Sequence, residues 1–177
     1  MNRIVVQSAT RVFAIAFLAI GLGLFSSIAP PASAQDHPPC VNGVTPEVLG
    51  NALPDDAQGL ALVSVRLTIE PGGGFGPHMH PGTLVVSIDS GELAFTQLDH
   101  AGMEMTVNRA AIDGTPTPSE IMIPNDEVIL NPGDWLVEPG NMVHMAYNQG
   151  SEPTVVLLAG LLTPGAPLVE CVDADSL

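Results

Sequence analysis

Between Gly59 and Glu70 the chain reads GLALVSVRLTIE, and its second half alternates without a break. Val63, Val65, Leu67 and Ile69 fall on one face, and Ser64, Arg66, Thr68 and Glu70 on the other. A period of two is what a strand with one buried face requires. Short β-forming runs recur at Thr83–Asp89, Glu92–Leu98, Met103–Val107, Val128–Leu130, Trp135–Glu138, Val143–Tyr147 and Thr154–Leu162. Gly and Pro punctuate them: Ser90-Gly91 and Asn131-Pro132-Gly133-Asp134 read as turns, and Asp99-His100-Ala101-Gly102 as a hairpin joining its two flanking strands. No segment carries a long helical period; only Pro46–Asn51 reads as a short turn of helix. The pattern predicts an all-β sandwich or barrel of about nine or ten strands in a single domain, with no tandem repeat.

Residues 1–34 read as a signal peptide. Arg3 and Arg11 precede the apolar run Val12–Leu24, and Ala32-Ser33-Ala34 gives the small residues of a cleavage site after Ala34. The run is short of the roughly 20 apolar residues that span a bilayer, so the expectation is a cleaved leader, no membrane anchor, and a secreted or periplasmic protein. The domain is then 35–177. It holds all 19 acidic residues against two arginines, Arg66 and Arg109, and no lysine, a balance of −17. Such a surface disfavours nucleic acid and anionic membranes as partners. Cys40 and Cys171 are the only cysteines. Outside the cytoplasm an even pair is expected to bond, tying both ends of the domain together; two free thiols are the alternative.

The five histidines all lie in this domain. His37, in QDHPPC, and His100, in the expected hairpin turn, read as solvated residues. His78 and His80 differ: on an extended chain they share a face, with Met79 on the other, beside the glycine-rich loop PGGGFGP. His144 comes from a distant strand after the turn Pro139-Gly140-Asn141, which is how a third imidazole could join the pair. Met79, Met142 and Met145 flank these histidines and read as facing away or as core packing.

Two segments resemble the two motifs of the cupin superfamily. The first runs Gly72, five residues, His78-Met79-His80, three residues, Leu84, six residues, Gly91; the second runs Gly133, five residues, Pro139-Gly140-Asn141, two residues, His144, three residues, Asn148. Asn141 stands where the motif has glycine, a mild change because Asn tolerates left-handed backbone angles. Leu84 stands where the motif has its glutamate ligand. The resemblance implies a single-domain cupin, an all-β double-stranded β-helix or jelly-roll barrel with its motif core over about 60–162. It also implies that His78, His80 and His144 hold a divalent transition metal (Fe, Mn, Ni, Cu or Zn) inside the barrel. Asp89 and Glu92 are the acids nearest Leu84 in sequence, and neither is expected to replace the lost ligand. Tyr147 reads as a pocket acid or a core residue.

Two functions stay open on this reading. One is a metal-dependent dioxygenase or isomerase acting on a small organic molecule, with the polar loop 108–127 partly covering the pocket. The other is a non-catalytic module that binds a metal or small ligand, or a metal-free structural barrel whose histidines are hydrogen-bonded in the core. The family resemblance also allows a homodimer paired through sheet edges.

Overall fold

The alternating stretch becomes the spine of one curled antiparallel sheet. In the computed structural model, which describes residues 38–98, 104–110, 119–173 and 175, it opens strand β2 (Ala61–Met79). The expected leader, His37, His100, residues 99–102 of the expected hairpin turn and residues 111–118 of the expected long polar loop lie outside the described residues. Around β2 stand β1 (Val41–Ala52), β3 (Gly82–Ser90), β4 (Leu93–Gln97), β5 (Thr106–Asn108), β6 (Glu120–Ile121), β7 (Glu127–Leu130), β8 (Trp135–Glu138), β9 (His144–Tyr147), β10 (Thr154–Leu162) and β11 (Glu170–Cys171). The strand order is β6-β5-β8-β3-β10-β2-β9-β4-β7, with β1 and β11 also paired to β2.

The length of β2 organises this arrangement. Its first half pairs with β1 and β10, and its second half with β1, β9 and β11, so the strand turns from one part of the sheet into the other. The expected face is buried: Val65, Leu67 and Ile69 join Phe75, Val86, Ile88, Leu93, Phe95, Leu136, Val156 and Leu158 in one core. Burying each such side chain contributes about 1.5–3 kcal/mol.

Three expectations need correction. Pro46–Asn51 is not a turn of helix but the middle of β1, drawn out by pairing such as Val48 against Val65 and Glu47 against Arg66. The run PGGGFGP is not a loop but the continuation of β2, with register shifts where it meets β1 and β9. The flanks of Asp99–Gly102 do not form a hairpin with each other: β4 pairs with β7 and β9, and β5 with β6 and β8.

Close backbone approach explains glycine at Gly160, on β10 between β2 and β3. A Cβ there would run into the Thr83 carbonyl oxygen and sit 2.9 Å from Leu84 Cα. Gly160→Ala is therefore expected to cost about 1–3 kcal/mol, as overpacked interiors do. Urea unfolding reads this; an unchanged midpoint would contradict the close approach.

Candidate metal centre

Local hydrogen bonding sets each histidine. His78, near the end of β2, and His80, just beyond it, are both buried, as is His144 at the start of β9. His78 lies directly across from His144 in the β2–β9 pair, which brings their ring centroids to 4.2 Å. His80 completes the triangle at 5.0 Å from His78 and 5.1 Å from His144. Phe95 stacks on His144 with centroids 5.2 Å apart and planes 16° from parallel, fixing that ring from behind.

The ring nitrogens are sorted by their partners. Nδ1 of His78 donates to Gly76 O at 2.8 Å, Nδ1 of His80 to Leu168 O at 2.6 Å, and Nδ1 of His144 to Met142 O at 3.0 Å. A carbonyl has no hydrogen to give, so all three Nδ1 atoms carry the proton. In the neutral rings each Nε2 is left with a lone pair. One nitrogen from each histidine falls within 4.8 Å of one from every other, the only such group of three or more potential ligands among the described residues.

A fourth group comes from a strand that sequence reasoning left out of the site. Glu138 ends β8 with its side chain buried, Oε2 at 3.1 Å from His80 Nε2 and Oε1 at 3.3 Å from His144 Nε2. It sits directly opposite Leu84 in the β3–β8 pair. Neither Glu138 Oε2 nor His144 Nε2 has a hydrogen bond of acceptable geometry. A signal was present in WLVE, where the strand period puts Glu138 on the same face as Leu136. Trp135 and Val137, the apolar residues of the other parity, are 42% and 38% exposed.

Electrostatics follow from burial and from one negative charge among three imidazoles. Burial, reinforced by His144 and His80, lowers the His78 pKa to about 3. Burial also lowers that of His144, against the opposing pull of Glu138. For His80 burial acts downwards too, but the Glu138 carboxylate beside it outweighs this and the pKa is raised. Burial would raise the Glu138 pKa, yet the surrounding histidines, His144 and His80 foremost, hold it well below the usual carboxylate range.

The cluster forms one wall of a cavity of about 330 Å³. The other lining residues are apolar, among them Leu67, Ile69, Phe75, Val86, Phe95 and Leu168. Arg66 instead pairs with Glu47, and Arg109 with Glu120 and Asp134, so neither arginine lines the cavity. Tyr147 is half-buried and also absent from the lining, which leaves its role as a pocket acid unsupported. The remaining motif residues have structural tasks. Asn141 adopts φ 63°, the left-handed angle expected of it. Asn148 donates to Ile69 O and Glu152 O and accepts from Gly150 N, joining β2 to the turn after β9.

The donor set suits a transition metal: three clustered imidazoles, with a carboxylate against two of them, are a combination that Fe, Mn, Ni, Cu and Zn accept. The carbonyls behind each Nδ1 are the supports that orient ligating histidines.

Residues 42–163 match the Cupin family profile. No curated protein sequence matches the chain. Among solved structures, a cupin 2 conserved barrel domain protein from Leptotrichia buccalis is 20% identical, with 67% of this chain and 40% of that one aligned at a TM-score of 0.41. A conserved protein with a double-stranded β-helix domain from Klebsiella pneumoniae is 20% identical over 73% of this chain and 84% of its own, TM-score 0.40. An oxalate decarboxylase variant from Bacillus subtilis is 21% identical over 71% of this chain and 27% of its own, TM-score 0.43.

Proposed function

The chain belongs to the cupin family, and from that premise we propose that it binds one divalent transition metal through His78, His80 and His144 and acts on a small, uncharged, largely apolar molecule held beside it. The observation that carries the reading is the tautomer: with each Nδ1 bonded to a carbonyl, Nε2 is the nitrogen each neutral ring can offer a metal, and the three histidines cluster within reach of one ion. A bound metal supplies Lewis acidity or oxygen activation, the chemistry of a dioxygenase or isomerase.

The chain's own residues do the rest. Leu67, Ile69, Phe75 and Phe95 exclude water and hold an apolar body, while the cluster gives the cavity its only polar wall among the described residues. Apart from the metal and its histidines, a dianion such as the oxalate in the Bacillus protein's name would find no arginine or lysine among the described lining residues to compensate its charge. The ligand is therefore a neutral molecule with one polar end directed at the histidines.

The domain is read as working outside the cytoplasm, with 1–34 removed after Ala34. The Cys40–Cys171 disulfide agrees with an oxidising compartment. N-terminal sequencing of exported protein tests the cleavage.

Elemental analysis of the purified domain is expected to find about one metal per chain, and His144→Ala to lose it. Oxygen uptake or isomerisation on a panel of phenols and diketones is expected from the loaded protein and not from the variant. A wild type that stays metal-free after incubation with Fe, Mn, Ni, Cu and Zn sinks the reading.

A further inference from the structure

We propose that Glu138 is the fourth protein ligand of this centre, so that the carboxylate missing at Leu84 is delivered from the residue directly across the strand pair. The inference rests on the metal reading above and adds to it a ligand at a position that neither motif specifies as one.

Geometry carries it. Leu84 and Glu138 are cross-strand partners in the antiparallel β3–β8 pair, and side chains at such positions stand on the same face with Cβ atoms about 5 Å apart. The site can therefore exchange an acid between the two strands with little displacement. Leu84 is fully buried two residues from Val86, which lines the cavity, and Glu138 lines the cavity itself. The carboxylate does not turn away to a surface partner: its two oxygens contact the Nε2 atoms of His80 and His144, and neither arginine pairs with it.

The competing account is a buried ion pair between Glu138 and a protonated His80. It compensates one oxygen by charge, without a hydrogen bond of acceptable geometry. The other oxygen faces His144 Nε2, whose ring already carries its proton on Nδ1, so lone pair meets lone pair at 3.3 Å. Burying an isolated carboxylate costs several kcal/mol unless a charge compensates it. A divalent cation held by the histidines and ligated by the carboxylate would compensate that buried charge and use the imidazole lone pairs together. The carboxylate also shifts the preference of the site towards harder metals, because oxygen donors suit Mn²⁺ better than imidazole alone does.

The test uses metal titrations, with Mn²⁺ and Cu²⁺ as probes, on the wild-type domain, Glu138→Gln, Glu138→Leu and the swap Leu84→Glu/Glu138→Leu. Glu138→Gln is expected to weaken Mn²⁺ binding by about 100-fold or more, at or beyond the upper end of what loss of a mere supporting contact does. Its effect on Cu²⁺ should be smaller, and the Cu²⁺ EPR spectrum should change as an oxygen ligand is lost. The swap is expected to recover Mn²⁺ affinity to within about tenfold of wild type.

Wild-type affinity and an unchanged EPR spectrum in Glu138→Gln would overturn the assignment while leaving the three-histidine centre standing. Equal losses for Mn²⁺ and Cu²⁺ with an unchanged spectrum would likewise overturn it, leaving Glu138 as a support for His80. A wild type that binds neither probe overturns the metal reading itself. Circular dichroism identifies any variant that fails to fold, and the isosteric Gln keeps the test available if Glu138→Leu does not.

Discussion

Replacing both bridged cysteines, Cys40→Ser/Cys171→Ser, is expected to lower the unfolding free energy of the domain by about 5 kcal/mol and its melting temperature by roughly 15 °C. The bridge joins residues 131 apart, and constraining so long a loop removes a large share of the unfolded chain's freedom. The native state should lose order as well, because the bridge ties down two segments that line the cavity. Gly76 N donates to Cys40 O at 2.7 Å, Val172 N to Pro77 O at 2.9 Å, and Cys171 lies opposite His78 in the β2–β11 pair. Between them, Pro167, Leu168 and Val169 line the cavity, and Leu168 O holds His80 Nδ1. The double variant should therefore bind metal more weakly as well as unfold earlier. Denaturant unfolding with and without a reductant provides the measurement. A midpoint that does not move under reduction would show that the ends are held by strand pairing alone.

What the sequence disclosed about this site was whatever could be written as spacing along one strand. His78 and His80 share a face because the period is two, and the distances from Gly133 to His144 and Asn148 marked the second segment before any fold was known. Cross-strand register was not legible in the same way. Leu84 is legible as a missing acid, but the only candidates that sequence proximity offers are Asp89 and Glu92, neighbours along the chain. The residue that fills the place, Glu138, is a neighbour across the sheet. The same limit explains Pro46–Asn51, whose local preference for a turn gives way to the pairing offered by β2. It also explains PGGGFGP, where glycine marks close backbone approach and not a loop: a Cβ on Gly74 would strike the Ala146 carbonyl of β9. Local propensity describes a residue's preferences, whereas pairing in a curled sheet is settled by residues far away in sequence.

Acidification should expose the electrostatic cost of the cluster in the metal-free domain, and the sign of each contribution can be worked out. His78 is lowered to about 3 in the folded protein from 6.5. Between those values the unfolded chain binds a proton that the folded one refuses, so stability falls as the pH falls. At about 1.4 kcal/mol per unit, the drop from pH 6.5 to 4 is about 3 kcal/mol for His78 alone. His144, also lowered, acts in the same direction. His80 is raised and works the other way: its contribution is fully present below 6.5 and is lost only as the pH rises through its folded value. Glu138, lowered from 4.5 to about 2, stabilises the fold above 4.5 and loses that contribution as the pH falls towards 2. Urea midpoints of the chelator-treated domain should therefore decline steadily from pH 7 to 4, and His78→Asn should flatten the decline. A bound cation competes with protons for the same lone pairs, so the stabilisation it adds should shrink across the same range. Midpoints that stay level from pH 7 to 4 in the metal-free domain would mean that the histidines take up protons in the folded state. The three Nε2 atoms would then not be the available lone pairs on which the metal centre depends.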